Sequence, residues 1–228
     1  MKTNSDKLSS LAAVFASFCA FFTASGILSL VLRDAAIGVL GSLVPYLFGW
    51  LCAVGVLKFA ARLLPERDAE EESAAFGDEG ELHENKYSLK SDIYASVLTL
   101  VLLLLLNFAL SIFANGKSAE FSAAAFVIGA FLKPFCEETY FRYGVSVILM
   151  RSGKLSRSTA VAVSAVLFAL IHKASAMPFA LVAGVLLGLL ATRHTDRKDG
   201  FRRGAVCSLT VHAAYNLILY AVLYWRCI

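Results

Sequence analysis

IYASVLTLVLLLLLNFALSIFANG, from Ile93 to Gly116, is a run of 24 residues without a formal charge. As a helix rising 1.5 Å per residue it covers about 36 Å, more than the roughly 30 Å hydrocarbon core of a bilayer. Two further runs of this kind precede it, 25 residues from Leu8 to Leu32 and 23 from Ala35 to Leu57. The whole chain of 228 residues is 58% hydrophobic and 17% charged, with a mean hydropathy of +0.70. Apolar residues gathered in long blocks exclude a disordered chain, a collagen, a coiled coil and an ordinary soluble domain. The expected class is an all-α polytopic membrane protein.

Working outward from the three clean blocks, four more spans fit at roughly Phe121 to Met150, Ser158 to Ile171, Met177 to Thr192 and Gly204 to Trp225. Seven spans can be checked by counting Lys and Arg, because the cytoplasmic side of a bilayer retains basic loops. The N-terminal stretch, residues 58–92, Arg151 to Arg157 and Arg193 to Arg203 together hold fifteen basic residues. The alternate loops and the C-terminal end hold four, Arg33, Lys117, Lys173 and Arg226. That alternation predicts a cytoplasmic N-terminus and an outside C-terminus. The 25-residue first block is longer than the 7–15 residue core of a signal peptide and is read as a span. Residues 1–57 are thus N-terminal transmembrane helices, 58–92 an acidic cytoplasmic loop, 93–120 the third helix with its outer loop, and 121–228 a C-terminal core of four helices.

Charge is unevenly spread. Residues 58–92 contain ten of the seventeen acidic residues and five of the twenty-one basic ones, so a net +4 chain carries +9 outside this segment. Contact with anionic lipid headgroups accounts for such a balance better than nucleic acid does. The five cysteines show no ligand spacing and are read as small core residues. Gly184 and Gly188 form a GxxxG that predicts a close helix contact. The basic stretch TRHTDRKDGFRRG (192–204) is read as a topology signal at the cytoplasmic mouth of the bundle.

The fourth span is anomalous. Its twelve Leu, Ile, Phe and Val residues favour insertion by roughly 5 kcal/mol in total, whereas Lys133, Glu137, Glu138 and Arg142 near the midplane oppose it by on the order of 10 kcal/mol or more. The bundle must therefore hold this helix, and intramembrane ionisable groups mark a functional site. Glu138 and Arg142, four residues apart, can neutralise one another on one face, while Glu137 is turned about 100° away and is the freer carboxylate. Phe168 and His172 share a face of the fifth span, as do His212 and Asn216 in the seventh. By helical rise, Glu137, His172 and His212 lie at similar depths in the bilayer. A glutamate assisted by a histidine can deprotonate a water for attack on a peptide carbonyl, with a second histidine and an amide stabilising the oxyanion. Glu and two His are also competent zinc ligands, but there is no HExxH, and His212 is followed four residues later by Asn216 rather than His. No cofactor is firmly predicted, and zinc stays open.

EETYFR (137–142) matches EExxxR, FALIH (168–172) matches FxxxH, and HAAYN (212–216) matches HxxxN. In that order and in successive membrane spans, these residues resemble the CPBP family of intramembrane proteases. That family includes the type II CAAX prenyl endopeptidases and bacterial proteins linked to bacteriocin processing or immunity. The resemblance covers about Phe121 to Trp225. It implies that Glu137 activates water with His172 as partner, that His212 and Asn216 stabilise the oxyanion, and that Glu138 and Arg142 support the site together with Phe168. It also implies a cavity open to the cytosol, cleavage near the cytoplasmic leaflet, and a CAAX-type or leader-bearing peptide or lipidated protein as substrate. Two other readings of the same residues are a proton or cation pathway and an inactive scaffold or immunity protein of the same fold. A bacterial plasma membrane suits the compact bundle, and the oligomeric state is not encoded in these motifs.

Overall fold

The computed structural model describes residues 2–32, 38–64, 89–111, 123–193, 195 and 200–225. Among them are seven helices and no strand: α1 Lys2–Val31, α2 Gly38–Leu63, α3 Leu89–Ser111, α4 over residues 123–152, α5 Arg157–Leu170, α6 Met177–Ala191 and α7 Gly200–Trp225. The central part of the acidic loop lies outside the described residues. Four helices, α1, α2, α3 and α7, have the length and composition to cross a bilayer. The membrane-type all-α fold therefore stands. The count of seven full crossings is less simple, because α5 and α6, with 14 and 15 residues, are about 21 and 22 Å long. They form a hairpin whose close contact uses the GxxxG: a Cβ on Gly184 would lie 3.0 Å from the Ala165 backbone, and one on Gly188 would lie 3.0 Å from Val161.

Apolar packing falls into two clusters. Val14, Phe18, Phe21, Trp50, Leu57, Tyr140, Phe141 and Leu149 fill the space among α1, α2, α4 and α5, and Leu103, Leu187, Val211 and Tyr215 fill that among α3, α6 and α7. The buried polar groups of α4, α5 and α7 lie between the clusters. α1 is integral to the bundle, since Ser17 Oγ and Tyr140 OH share a 2.6 Å hydrogen bond. The cysteines depart from expectation: Cys19 is exposed on α1, and Cys52, Cys136 and Cys207 are half-buried. In a lipid-facing position a small thiol needs no core to satisfy it.

The basic ends of the helices gather at one pole. Ser10 of α1 meets Gly153 just beyond α4. The Arg151 guanidinium lies 5.2 Å from the Phe201 ring of α7, and Arg157 at the start of α5 donates to Thr192 Oγ1 and to the Leu189 carbonyl at the end of α6. Arg193 donates to Ser91 at the start of α3, and Arg203 pairs with Asp92. The far ends, including the Ile171–Ala176 turn between α5 and α6, form the opposite pole.

Candidate active site

The local backbone of α4 prepares the site. Its helix alternates ordinary turns with wide ones at Ile128–Leu132, Thr139–Val145 and Ile148–Ser152, in which hydrogen bonds span five residues. Such wide turns are frequent at functional sites. In the first, the Lys133 amide donates to the Ile128 carbonyl. The next amide in that register belongs to Pro134, which has no N–H, so the Gly129 carbonyl is left without a helical donor. Asn216 Nδ2 fills the gap at 2.8 Å. A Cβ at Gly129 would meet the Tyr220 hydroxyl of α7, so any larger residue there requires that ring to move.

Lys133–Glu138 then places both carboxylates in the interior. Glu138, 1% exposed, accepts from His212 Nδ1 at 2.9 Å and from Ser208 Oγ, and lies 3.2 Å from Arg142 Nε. Arg142 is itself 1% exposed. It donates from Nη1 to Ser164 Oγ at 2.9 Å, and its guanidinium faces the Phe168 ring at 4.9 Å. A charge so deeply placed persists only when paired and hydrogen-bonded. Glu137 is the freer carboxylate, as its position on the helix predicts. Its Oε1 accepts from Tyr46 OH at 3.0 Å, and its Oε2 lies 3.8 Å from His212 Nε2.

The two histidines are oriented by opposite means. A carboxylate and a carbonyl can only accept, so Nδ1 is the N–H in both rings. His212 gives that proton to Glu138, and His172 gives its own to the Phe168 carbonyl at 2.8 Å. Nε2 of each ring is left for other chemistry. Phe168 holds the arrangement together, with ring centroids 4.7 Å from His172, 5.9 Å from His212 and 5.4 Å from Phe141.

Glu137, Phe168, His172, His212 and Asn216 all line one cavity of about 720 Å³, with Glu138 and Arg142 buried behind it. The structure thus brings together every predicted site residue. Among the described residues no hydrogen bond joins Glu137 directly to His172; the nearer imidazole partner of Glu137 is His212. Zinc would need Glu137, His172 and His212 to converge on one point. Among the described residues no three His, Cys, Asp or Glu groups do so.

Five contributors escape motif reading. Tyr46 comes from α2, so the site is not confined to four C-terminal helices, and Phe21 and Leu103 bring α1 and α3 to the same cavity. Ser208 and Ser164 lie four residues before His212 and Phe168, so helical spacing marks them. Tyr46 carries no such mark beyond following Pro45 in an apolar helix. A further correction concerns the mouth. Lys173 and Ala176 of the α5–α6 turn, Lys133, Asn216 and Tyr220 line the cavity, and all lie toward the pole opposite Arg193, Arg202 and Arg203. The described part of the basic 192–204 stretch is therefore not at the mouth; residues 194 and 196–199 lie outside the described residues.

The family model described as type II CAAX prenyl endopeptidase Rce1-like matches residues 119–218. That interval contains the three motifs and leaves out Tyr46. No curated protein and no solved structure matches the chain. Two adjacent carboxylates, one sequestered and one facing a cavity shared with two oriented histidines, are what the motif order anticipates. Over residues 119–218 the chain is similar to the Rce1-like family of type II CAAX prenyl endopeptidases.

Proposed function

We propose that the protein is an intramembrane endopeptidase in which Glu137 activates a water held in the cavity. The observation carrying this reading is that Glu137, His172, His212 and Asn216 line the same 720 Å³ space. The Glu137 carboxylate takes a proton from water as the oxygen attacks the peptide carbonyl carbon, and Nε2 of His172 shares in that transfer. Asn216, through its second Nδ2 N–H, flanks the carbonyl oxygen together with His212, which as an imidazolium keeps Nδ1–H on Glu138 and presents Nε2–H to the negative charge that develops. Collapse breaks the C–N bond, and the proton taken from water passes to the leaving amine. Exclusion of bulk water by the apolar walls strengthens each of these electrostatic contacts. The substrate is a CAAX-type or leader-bearing peptide.

The test is cleavage of a farnesylated CAAX reporter and a panel of leader peptides by purified wild type and Glu137→Gln, in detergent and in lipid, with bound zinc quantified in the same samples. Wild type should cut, and Glu137→Gln should lose about 10²–10⁴-fold in rate, the usual contribution of a positioned base. Equal cleavage by both proteins would remove Glu137 from the mechanism. A folded wild type that cut nothing would count against the peptidase reading itself.

A further inference from the structure

The resemblance to prenyl proteases implies a cavity open to the cytosol, whereas the count of basic residues puts the N-terminus in the cytosol. The structure makes these two expectations incompatible. From the geometry we infer that the cavity of this protein opens to the extracytoplasmic face of the membrane, so that its substrate is a translocated polypeptide presented from that side.

The argument rests on which residues share a pole. Contacts link the start of α1 to the end of α4, the end of α4 to the start of α7, the start of α5 to the end of α6, and both the end of α6 and the start of α7 to the start of α3. Leu57, near the end of α2, packs against Gly144 in the last part of α4. Among the described residues, ten Lys and Arg, from Lys7 on α1 to Arg203 on α7, therefore lie at or near the helix ends that meet at this pole. Toward the other pole, Lys133 and Lys173 are the basic residues among those described. Lys and Arg in short loops decide orientation, while Asp and Glu contribute little, so the ten carboxylates of residues 58–92 do not reverse the count.

The cavity belongs to the weakly basic pole. His172 and Lys173 follow the last turn of α5, the end remote from Arg157. Ala176 and Phe179 are at the beginning of α6, and Asn216, Leu219 and Tyr220 are in the second half of α7. Tyr46 lies in the first third of α2, and Gly129 and Lys133 lie in the first half of α4, again away from the basic ends. Toward the basic pole the site is closed by the buried Glu138–Arg142–Ser164 cluster and by Tyr140, Phe141 and Leu149, each no more than 1% exposed. Of the two substrate classes proposed above, a cytosolic prenylated C-terminus would have to pass that plug, so this orientation selects the leader-bearing peptide, presented from outside. The orientation stands independently of catalysis; the substrate class rests on the peptidase reading above.

Membrane-impermeant maleimide labelling tests the orientation. In a background with the five native cysteines replaced and folding checked, Lys173→Cys reports the mouth, and Ser158→Cys, exposed at the start of α5, reports the basic pole. In intact bacterial cells Lys173→Cys should label and Ser158→Cys should not; in inside-out vesicles the pattern should reverse. Alkaline phosphatase fused after residue 228 should be active, and green fluorescent protein at the same place dark. The reverse pattern, or equal labelling of both sites in intact cells, overturns the inference. If wild type cleaves a peptide while labelling is reversed, the peptidase reading survives and the orientation falls. Labelling as expected with no peptide cut by the folded protein upholds the orientation and removes the substrate class.

Discussion

α3 and α4 are both apolar helices of this bundle, yet they are held in opposite ways. α3 is a lipid-facing rod: Leu98 and Leu105 are about three-fifths exposed, and Asp92, Thr99 and Leu103 are its buried residues. Its place in the membrane follows from composition alone, since lipid satisfies its surface. α4 contains two carboxylates, a guanidinium and an amine, and its carboxylates, Arg142 Nη1 and the Gly129 carbonyl find partners in Tyr46, Ser164, Ser208, His212 and Asn216 from three other helices. The lesson is that hydropathy inserts the frame, and tertiary contacts then admit the chemistry.

Substitutions in the two helices should differ accordingly. Glu138→Ala leaves Arg142 buried without its carboxylate and removes the orienting partner of His212. It should cost about 3–5 kcal/mol of stability, as breaking a buried ion pair does. Unfolding in mixed micelles reads this cost directly. If the pair is the cause, Glu138→Gln combined with Arg142→Gln should be less damaging than Glu138→Ala alone. An equal loss would mean that packing rather than charge secures α4.

Helix contact is the next largest effect. A Cβ on Gly204 would strike the carbonyl of Ala191, and this neighbour is backbone that cannot rotate away. Gly204→Ala should therefore push α6 from α7 and destabilise by about 1–3 kcal/mol, with a matching fall in cleavage because His212 and Asn216 move with α7. Unchanged thermal stability would show that the helices have slack at this crossing.

Tyr46→Phe removes one hydrogen bond to Glu137. The expected stability loss is about 0.6 kcal/mol, the mean for such a bond between helices in a bilayer. The cleavage rate should fall more than this stability change accounts for, since Tyr46 helps hold the carboxylate that faces the cavity. A loss in stability with no change in rate would assign Tyr46 to helix packing alone. On α3, Leu98→Ala should alter stability by no more than about 0.5 kcal/mol, and a larger change there would break the contrast with α4.

The membrane class, the seven helical segments and the seven motif residues are determined by sequence, because long uncharged blocks and i,i+4 spacing are local properties. Glu137 and Glu138 could also be told apart from sequence, since their 100° separation is fixed by helical geometry. Sequence could not place Tyr46 against Glu137, 91 residues away, because nothing local records which face of α2 meets α4. Nor could it show that Pro134 and a wide turn free the Gly129 carbonyl for Asn216, a consequence of hydrogen-bond register in three dimensions. The counts of Lys and Arg were visible from the start, but their relation to the cavity was not. Only when the ends of all seven helices are brought together does the basic pole lie opposite the mouth, since which ends neighbour the cavity is a property of packing and not of order along the chain.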